Sequence, residues 1–290
     1  MRPDAASVLK AGCKVNIFLR VTGRRDDGYH TIESLFLPLA LPGDAITISP
    51  RNGEGMALTC SDPELEGPGN IMFKAYNAFA DAASFSPDIS VFLEKNIPRG
   101  AGLGGGSSDA ATLLSWLNNA ASDQGLALSP EALIRLAAAI GADVPFFLLN
   151  GPAMVTGIGE IITPVANPLA GMHLVLVCPR AHVPTAWAFA AWDEISAEKH
   201  SDQNLTNTIG KDSSPFVRGI CVQNDLCPVV FSRFPQLCDI RTQLHTLKAD
   251  AASMSGSGAS IFGLFEKKEA AYDAVCFFES AGERVFHHIL

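Results

Sequence analysis

Five glycines fall within seven residues in the stretch Pro98 to Ala111, PRGAGLGGGSSDAA, between a strand-like run and a helix-like one. Glycines let a backbone turn its N–H groups inward with no Cβ in the way, and the following helix adds its positive end. That composition suits a di- or triphosphate. The candidate contacts run from Pro98 and Arg99 through Gly100, Ala101, Gly102, Leu103, Gly104, Gly105 and Gly106 to Ser107 and Ser108. Gly100, Gly102 and Gly105 also satisfy GxGxxG, but a dinucleotide fold would follow its helix with a strand ending in an acidic residue. Here Asp123 lies in a helix-terminal loop followed by another helix. A Walker A loop needs Lys and then Ser or Thr after its last glycine, and Gly106-Ser107 stands there instead. No HRD or DFG element of a protein kinase follows.

The elements that must position this loop are legible from periodicity. Val15 to Val21 reads as a buried strand, with Thr31 to Leu39 continuing it after a turn at Gly23 to Gly28. Ala45 to Ser49 and Met56 to Cys60 read as two more strands, with a hairpin turn expected at Arg51-Asn52-Gly53. Asn70 caps a helix with Met72, Ala75, Tyr76, Phe79 and Ala80 on its apolar face, and Ile89 to Leu93 alternates as a strand. Ser107 or Ser108 is the expected cap of the next helix, and Ser129-Pro130 opens another that Gly141 ends. Asp143 then sits at an expected helix-to-strand junction. After Thr163 to Pro168, strands at Leu174 to Cys178, Ile261 to Phe265 and Val285 to Ile289 alternate with helices at Pro235 to Leu247 and Glu269 to Ala281. That order suggests an α+β domain of split βαβ character. The expected division is 1–164 and 165–290.

The 290 residues are 48% hydrophobic and 18% charged, a globular composition. A net charge of −9 repels polyanions, so nucleic acid and acidic membranes are not expected partners, and any phosphate must be held locally. Seven cysteines without a CxxC pair read as reduced thiols and a cytoplasmic protein, with no structural metal site. The longest apolar region, Ala132 to Val155, is broken by Asp143, Pro145 and Pro152, so no membrane span is expected.

The loop resembles that of the GHMP kinase superfamily, PxGxGLGSSAA, along its whole length. Two further strings are similar to the superfamily's other motifs: Ala11 to Leu19, AGCKVNIFL, and Ser253 to Phe262, SMSGSGASIF. Together they span nearly the whole chain. The resemblance implies an N-terminal α/β domain of ribosomal-protein-S5-like type, a C-terminal ferredoxin-like domain, and an active site in the cleft between them. It also implies ATP as phosphoryl donor and Mg²⁺. The string KVNIFLRVTGRRDDGYHTIESLF, Lys14 to Phe36, is narrower. With IGADVPFFL, VPTAWAF and NDL, it resembles the branch that phosphorylates a cytidine-diphosphate-linked methylerythritol in the non-mevalonate isoprenoid route.

Carried over residue by residue, the resemblance makes Lys14 and Asp143 the catalytic pair. Asp143 would accept or orient the acceptor hydroxyl's proton, and Lys14 would keep that carboxylate ionised and steady the migrating phosphoryl. A structural ion pair is the competing reading. Tyr29 and Phe189 correspond to aromatic residues that sandwich the cytosine, His30 to the reader of its edge, and Asn16 to a holder of the acceptor's oxygens. Stacking tolerates any base, so an edge reader is what gives selectivity. Trp187 competes with Phe189 for the stacking role. Asn70, Lys95, Ser255 and Gly256 are nucleotide-side candidates by motif position, and helix capping is an alternative for one of the two serines. The expected assembly is a monomer or weak homodimer. Rival readings are a GHMP kinase for another small alcohol (mevalonate-type, homoserine or sugar) and a nucleotide-binding protein without catalysis.

Overall fold

The computed structural model describes residues 6–149, 151–201 and 216–290. Strands β1 (Ser7–Arg24) and β2 (His30–Pro50) form one long antiparallel hairpin, in register from Ser7 opposite Ile48 to Arg24 opposite His30. Thr31 to Leu39 and Ala45 to Ser49 are thus two arms of one strand. Register shifts between Ala11 and Cys13 and between Asn16 and Phe18 bracket the segment that carries Lys14. Such bulges bend a strand and re-aim its side chains.

Strand β3 (Met56–Cys60), helix α1 (Ile71–Ala83) and strand β4 (Ile89–Glu94) follow. The hairpin expected at Arg51 to Gly53 is corrected, because β4 lies between β2 and β3, antiparallel to the first and parallel to the second. Packing accounts for the order: Ile89, Val91 and Leu93 are at most 1% exposed, against 7–9% for Met56, Leu58 and Cys60, so the more thoroughly buried strand is the inner one.

Helices α2 (Gly105–Ser122), α3 (Pro130–Ile140) and α4 (Val144–Leu149) come next, then β5 (Ala153–Thr156) and β6 (Ile161–Pro164). The sheet order is β3-β4-β2-β5-β6, with β1 paired to β2. Met72, Phe79, Leu113, Leu114 and Leu117 join Ile46, Ile89 and Val91 in the core between helices and sheet. Asn70 and Ser129 cap α1 and α3 as expected, accepting from Met72 N at 2.9 Å and Ala132 N at 3.3 Å. The cap of α2 is not Ser107 or Ser108: Gly104, at φ 71°, holds that position with no side-chain cap bond. Asp143 precedes helix α4, so its junction is helix to helix rather than helix to strand.

The second sheet is built from β7 (His173–Cys178), β10 (Ala251–Met254), β11 (Ile261–Phe265) and β12 (Arg284–Ile289), in the order β10-β11-β7-β12 and antiparallel throughout. Between β7 and β10 lie α5 (Thr185–Ser201), a small hairpin of β8 (Phe216–Val217) and β9 (Ile220–Cys221), α6 (Cys227–Arg233) and α7 (Pro235–Thr246). Helix α8 (Lys268–Ser280) joins β11 to β12. This is the split βαβ arrangement. Strand alternation gives it two faces. Val175, Val177, Ile261 and Phe265 pack with residues of α6, α7 and α8, while Leu174, Leu176, Phe262 and Leu264 pack with Cys13, Val15 and Ile17 of β1. Each such burial contributes about 1.5–3 kcal/mol. The seam locks one face of β1 to the second sheet and turns Lys14 and Asn16 the other way. No helix of the described residues is long and apolar enough to cross a membrane.

Candidate active site

Lys14 and Asn16 line a cavity of about 1140 Å³, shared with the glycine loop from Pro98 to Ser107, Asp143, Tyr29, His30, Phe189 and Gly256. That exceeds the range of roughly 300–1,000 Å³ usual for a single small ligand. Two ligands fit the space better than one.

The loop's carbonyls are taken by the rest of the protein. Gly100 O accepts from Ala259 N and Ala101 O from Ser260 N, each at 3.1 Å, and Leu103 O accepts from Lys14 N at 3.0 Å. Gly102 O accepts from Ser255 Oγ at 3.0 Å and Lys14 Nζ at 3.1 Å. Among the described residues no acceptor takes the amides of Arg99 to Gly104, and the first amides of α2 have no intrahelical partner. The loop is therefore a cradle of N–H donors with its carbonyls tied back. Positive φ at Gly100, Gly102 and Gly104 makes that possible, and a Cβ at Gly102 would overlap the Ser255 carbonyl.

Lys14 Nζ donates to Asn16 Oδ1 at 2.5 Å and lies 3.8 Å from Asp143 Oδ2. The ammonium also sits 4.6 Å from the Phe36 ring centroid. Burial pushes Lys14 below the usual lysine range, opposed in part by Asp143 and then Cys13. We expect the basic limb of kcat/KM to begin below the ordinary lysine value of 10.5, since the charge that neutralises phosphate is lost earlier as pH rises. In the same window the unfolded chain binds more protons, so stability contributed by this group rises with pH. A profile flat up to the ordinary lysine range would refute the assignment.

Asp143 keeps its side chain 30% exposed at the cavity wall, leaving access for an alcohol. Asn16 is committed to protein partners: its Nδ2 donates to Ser34 Oγ at 3.0 Å and its backbone N–H to Ser255 Oγ at 3.2 Å. Asn224, from the NDL string, donates to Met254 O at 2.8 Å and Gly256 O at 2.7 Å. Leu19 of β1 bonds Gln223 O and Asp225 N on either side of it. The second glycine turn is thereby held against both β1 and the phosphate loop.

Family models for the GHMP kinases N terminal domain and the GHMP kinases C terminal domain match residues 70–151 and 209–284. A protein of Nitratidesulfovibrio vulgaris named 4-diphosphocytidyl-2-C-methyl-D-erythritol kinase is 44% identical over 98% of this chain and 99% of its own. One of the same name from Lawsonia intracellularis is 42% identical over 91% and 90%. The crystal structure of a 4-(cytidine 5'-diphospho)-2C-methyl-D-erythritol kinase superposes with a TM-score of 0.75 at 32% identity, covering 97% of this chain and 98% of that one. The chain belongs to this kinase family, within the GHMP kinases. Homoserine kinase from Cytophaga hutchinsonii, at 19% identity and a TM-score of 0.68 over 97% of this chain and 93% of that one, shares the fold.

Placed in a GHMP kinase, several candidate residues have settled surroundings. Lys95 is gripped by Asp44 and by Asp109, the latter at 2.7 Å. Burial disfavours its charge, but Asp109 and Asp44 together raise its pKa. Lys95 and Asp109 flank the glycine loop, so the pair braces the loop's two ends, and the ammonium does not face a nucleotide free of partners. Asp109, which sequence reading passed over, is pushed up to about 8 by burial, with Lys95 pulling down and Asp44 pushing up. Asn70 spends Oδ1 on its cap and Nδ2 on Leu65 O at 3.0 Å. Arg99 turns to Glu64 at 2.6 Å and Asp62 at 3.4 Å. Ser107 lines the cavity, whereas Ser108 is buried in the helix and Ser255 behind the loop.

In the same cavity, Phe189 of α5 stacks on His30 with centroids 4.9 Å apart at 20°. Trp187 turns away, 5.9 Å from Phe234 and under Arg233, so Phe189 is the cavity aromatic of the two. Tyr29, in the β1–β2 turn, lines the same cavity and is 61% exposed. Sequence reading missed Arg24 and Asp193 here. Both line the cavity, and Asp193 sits four residues beyond Phe189, a spacing that places the two on one helix face.

Proposed function

We propose that this protein transfers the γ-phosphoryl group of ATP to the 2-hydroxyl of 4-diphosphocytidyl-2-C-methyl-D-erythritol, giving the 2-phosphate and ADP. This is a step in the non-mevalonate supply of isoprenoid precursors. The carrying observation is that Lys14 and Asp143, 3.8 Å apart, share one cavity with an amide cradle whose carbonyls from Gly100 to Leu103 are tied elsewhere. Phosphoryl transfer depends on positioning and charge neutralisation more than on covalent help. The loop amides and the start of α2 hold the triphosphate. Asp143 takes the hydroxyl proton as the new O–P bond forms and ADP leaves, and Lys14 offsets charge on the phosphoryl in flight. Tyr29 and Phe189 supply stacking surface for cytosine at the opposite end, and Asn16 holds Lys14 in line. Mg²⁺ would neutralise the phosphates, and the Ser107 hydroxyl, on the cavity wall at the start of α2, is an oxygen donor that would hold it.

The test is incubation of the pure protein with Mg-ATP and the cytidine-linked substrate, read by phosphorus NMR. A new phosphomonoester resonance with stoichiometric ADP is expected. ADP formation only with mevalonate, homoserine or a sugar would overturn the reading.

A further inference from the structure

His30 reaches the cavity with one ring nitrogen already engaged. Its Nε2 lies 2.7 Å from Asp193 Oδ1, and Asp193 Oδ2 is held by Arg24 NH1 at 3.2 Å. The ring is sandwiched sideways by α5: Phe189 stacks on it, and Trp192 meets it edge-on at 5.9 Å. Phe189, Trp192 and Asp193 are one helical turn, so a single helix face sets the ring's plane, its rotation and its hydrogen-bonded nitrogen. Arg24 and His30 are paired across the β1–β2 hairpin, which places the guanidinium where it clamps the carboxylate's other oxygen. Among the described residues, Nδ1 has no hydrogen-bond partner.

A carboxylate only accepts, so the proton between these two groups sits on Nε2. In the neutral ring Nδ1 is then a bare acceptor. We infer that Asp193, steadied by Arg24, is a specificity-determining positioning residue: it fixes His30 in the Nε2–H tautomer so that Nδ1 accepts from the exocyclic amine of a pyrimidine base. Cytosine offers that amine, whereas uracil presents a carbonyl oxygen at the same place and would meet Nδ1 acceptor to acceptor. This inference rests on the proposed cytidine substrate. The Asp193 carboxylate itself does not touch the base.

The experiment measures kcat and KM for the cytidine-linked substrate and its uridine counterpart in the wild-type protein and in Asp193→Asn. An amide can donate to Nε2, which moves the ring proton to Nδ1 and reverses what the base meets. The expected result is a KM for the cytidine substrate raised roughly tenfold, the worth of one hydrogen bond, with kcat and the KM for ATP near wild type. The uridine substrate is unaffected or improved, so the preference collapses. An unchanged cytidine-to-uridine ratio in Asp193→Asn overturns the inference. A wild-type protein that does not prefer cytidine overturns instead the substrate reading beneath it. Nitrogen-15 NMR of histidine-labelled wild-type protein needs no variant: a His30 protonated at Nε2 alone is expected, and one protonated at Nδ1 alone sinks the inference.

Discussion

Replacing Asp143 by Asn lowers turnover by about 10²–10⁴-fold, the range typical of a lost general base, and leaves ATP affinity within about twofold of wild type. The variant keeps the shape and polarity of the side chain beside Lys14 but can no longer take a proton. In the proposed function the triphosphate is gripped by the amides of the glycine loop, which the substitution does not touch. A purely structural ion pair predicts a different pattern. Lys14 would be left buried beside a neutral amide, and the loss would appear in thermal stability with turnover nearly intact. Measuring kcat, KM for ATP and Tm on one preparation separates the two readings.

Replacing Gly102 by Ala reduces kcat/KM for ATP by about 10²-fold and destabilises the fold by about 3 kcal/mol. The position has φ +73°, which costs an L-residue roughly 1–2 kcal/mol, and a new Cβ overlaps the Ser255 carbonyl. Relief requires the loop to back away from the second glycine turn. That breaks the bonds from Ser255 Oγ and Lys14 Nζ to Gly102 O and displaces the cradle. A displacement of about 1 Å in a positioning element is enough for such a loss. Gly125→Ala is the control: its φ is +71° but nothing lies within 4 Å of the added Cβ, so the strain remains without the collision. It loses about 1 kcal/mol of stability and keeps wild-type kinetics. Equal kinetic losses in both variants would refute the argument.

Local signals were read correctly where the physics was local. Asn70 and Ser129 cap their helices because a side-chain oxygen needs only the amide two or three residues on. The glycine loop declared an anion cradle because missing side chains and a helix start are properties of the string itself. Errors came where a distant partner decides. The turn composition of Arg51 to Gly53 invited a hairpin, yet strand pairing went to β4, which begins 39 residues beyond the end of β2 and buries more of its apolar face than β3 does. The run after Asp143 was read as strand and is helix α4, since short apolar runs do not declare their period. That Asp44 and Asp109 hold Lys95 was likewise not legible, because its sequence neighbours do not show that Asp44 comes from another strand to meet it.

The chain's own text was sufficient for the kinase family and for a glycine loop with turned-in amides, because these reside in contiguous strings whose glycine spacing sets the backbone. Folding alone decided that Phe189 rather than Trp187 faces the cavity, that Asn16 steadies Lys14, and that Asp193 grasps His30. Those outcomes depend on which side of a strand or helix each residue occupies once two sheets close on a shared apolar seam. No residue carries that information by itself.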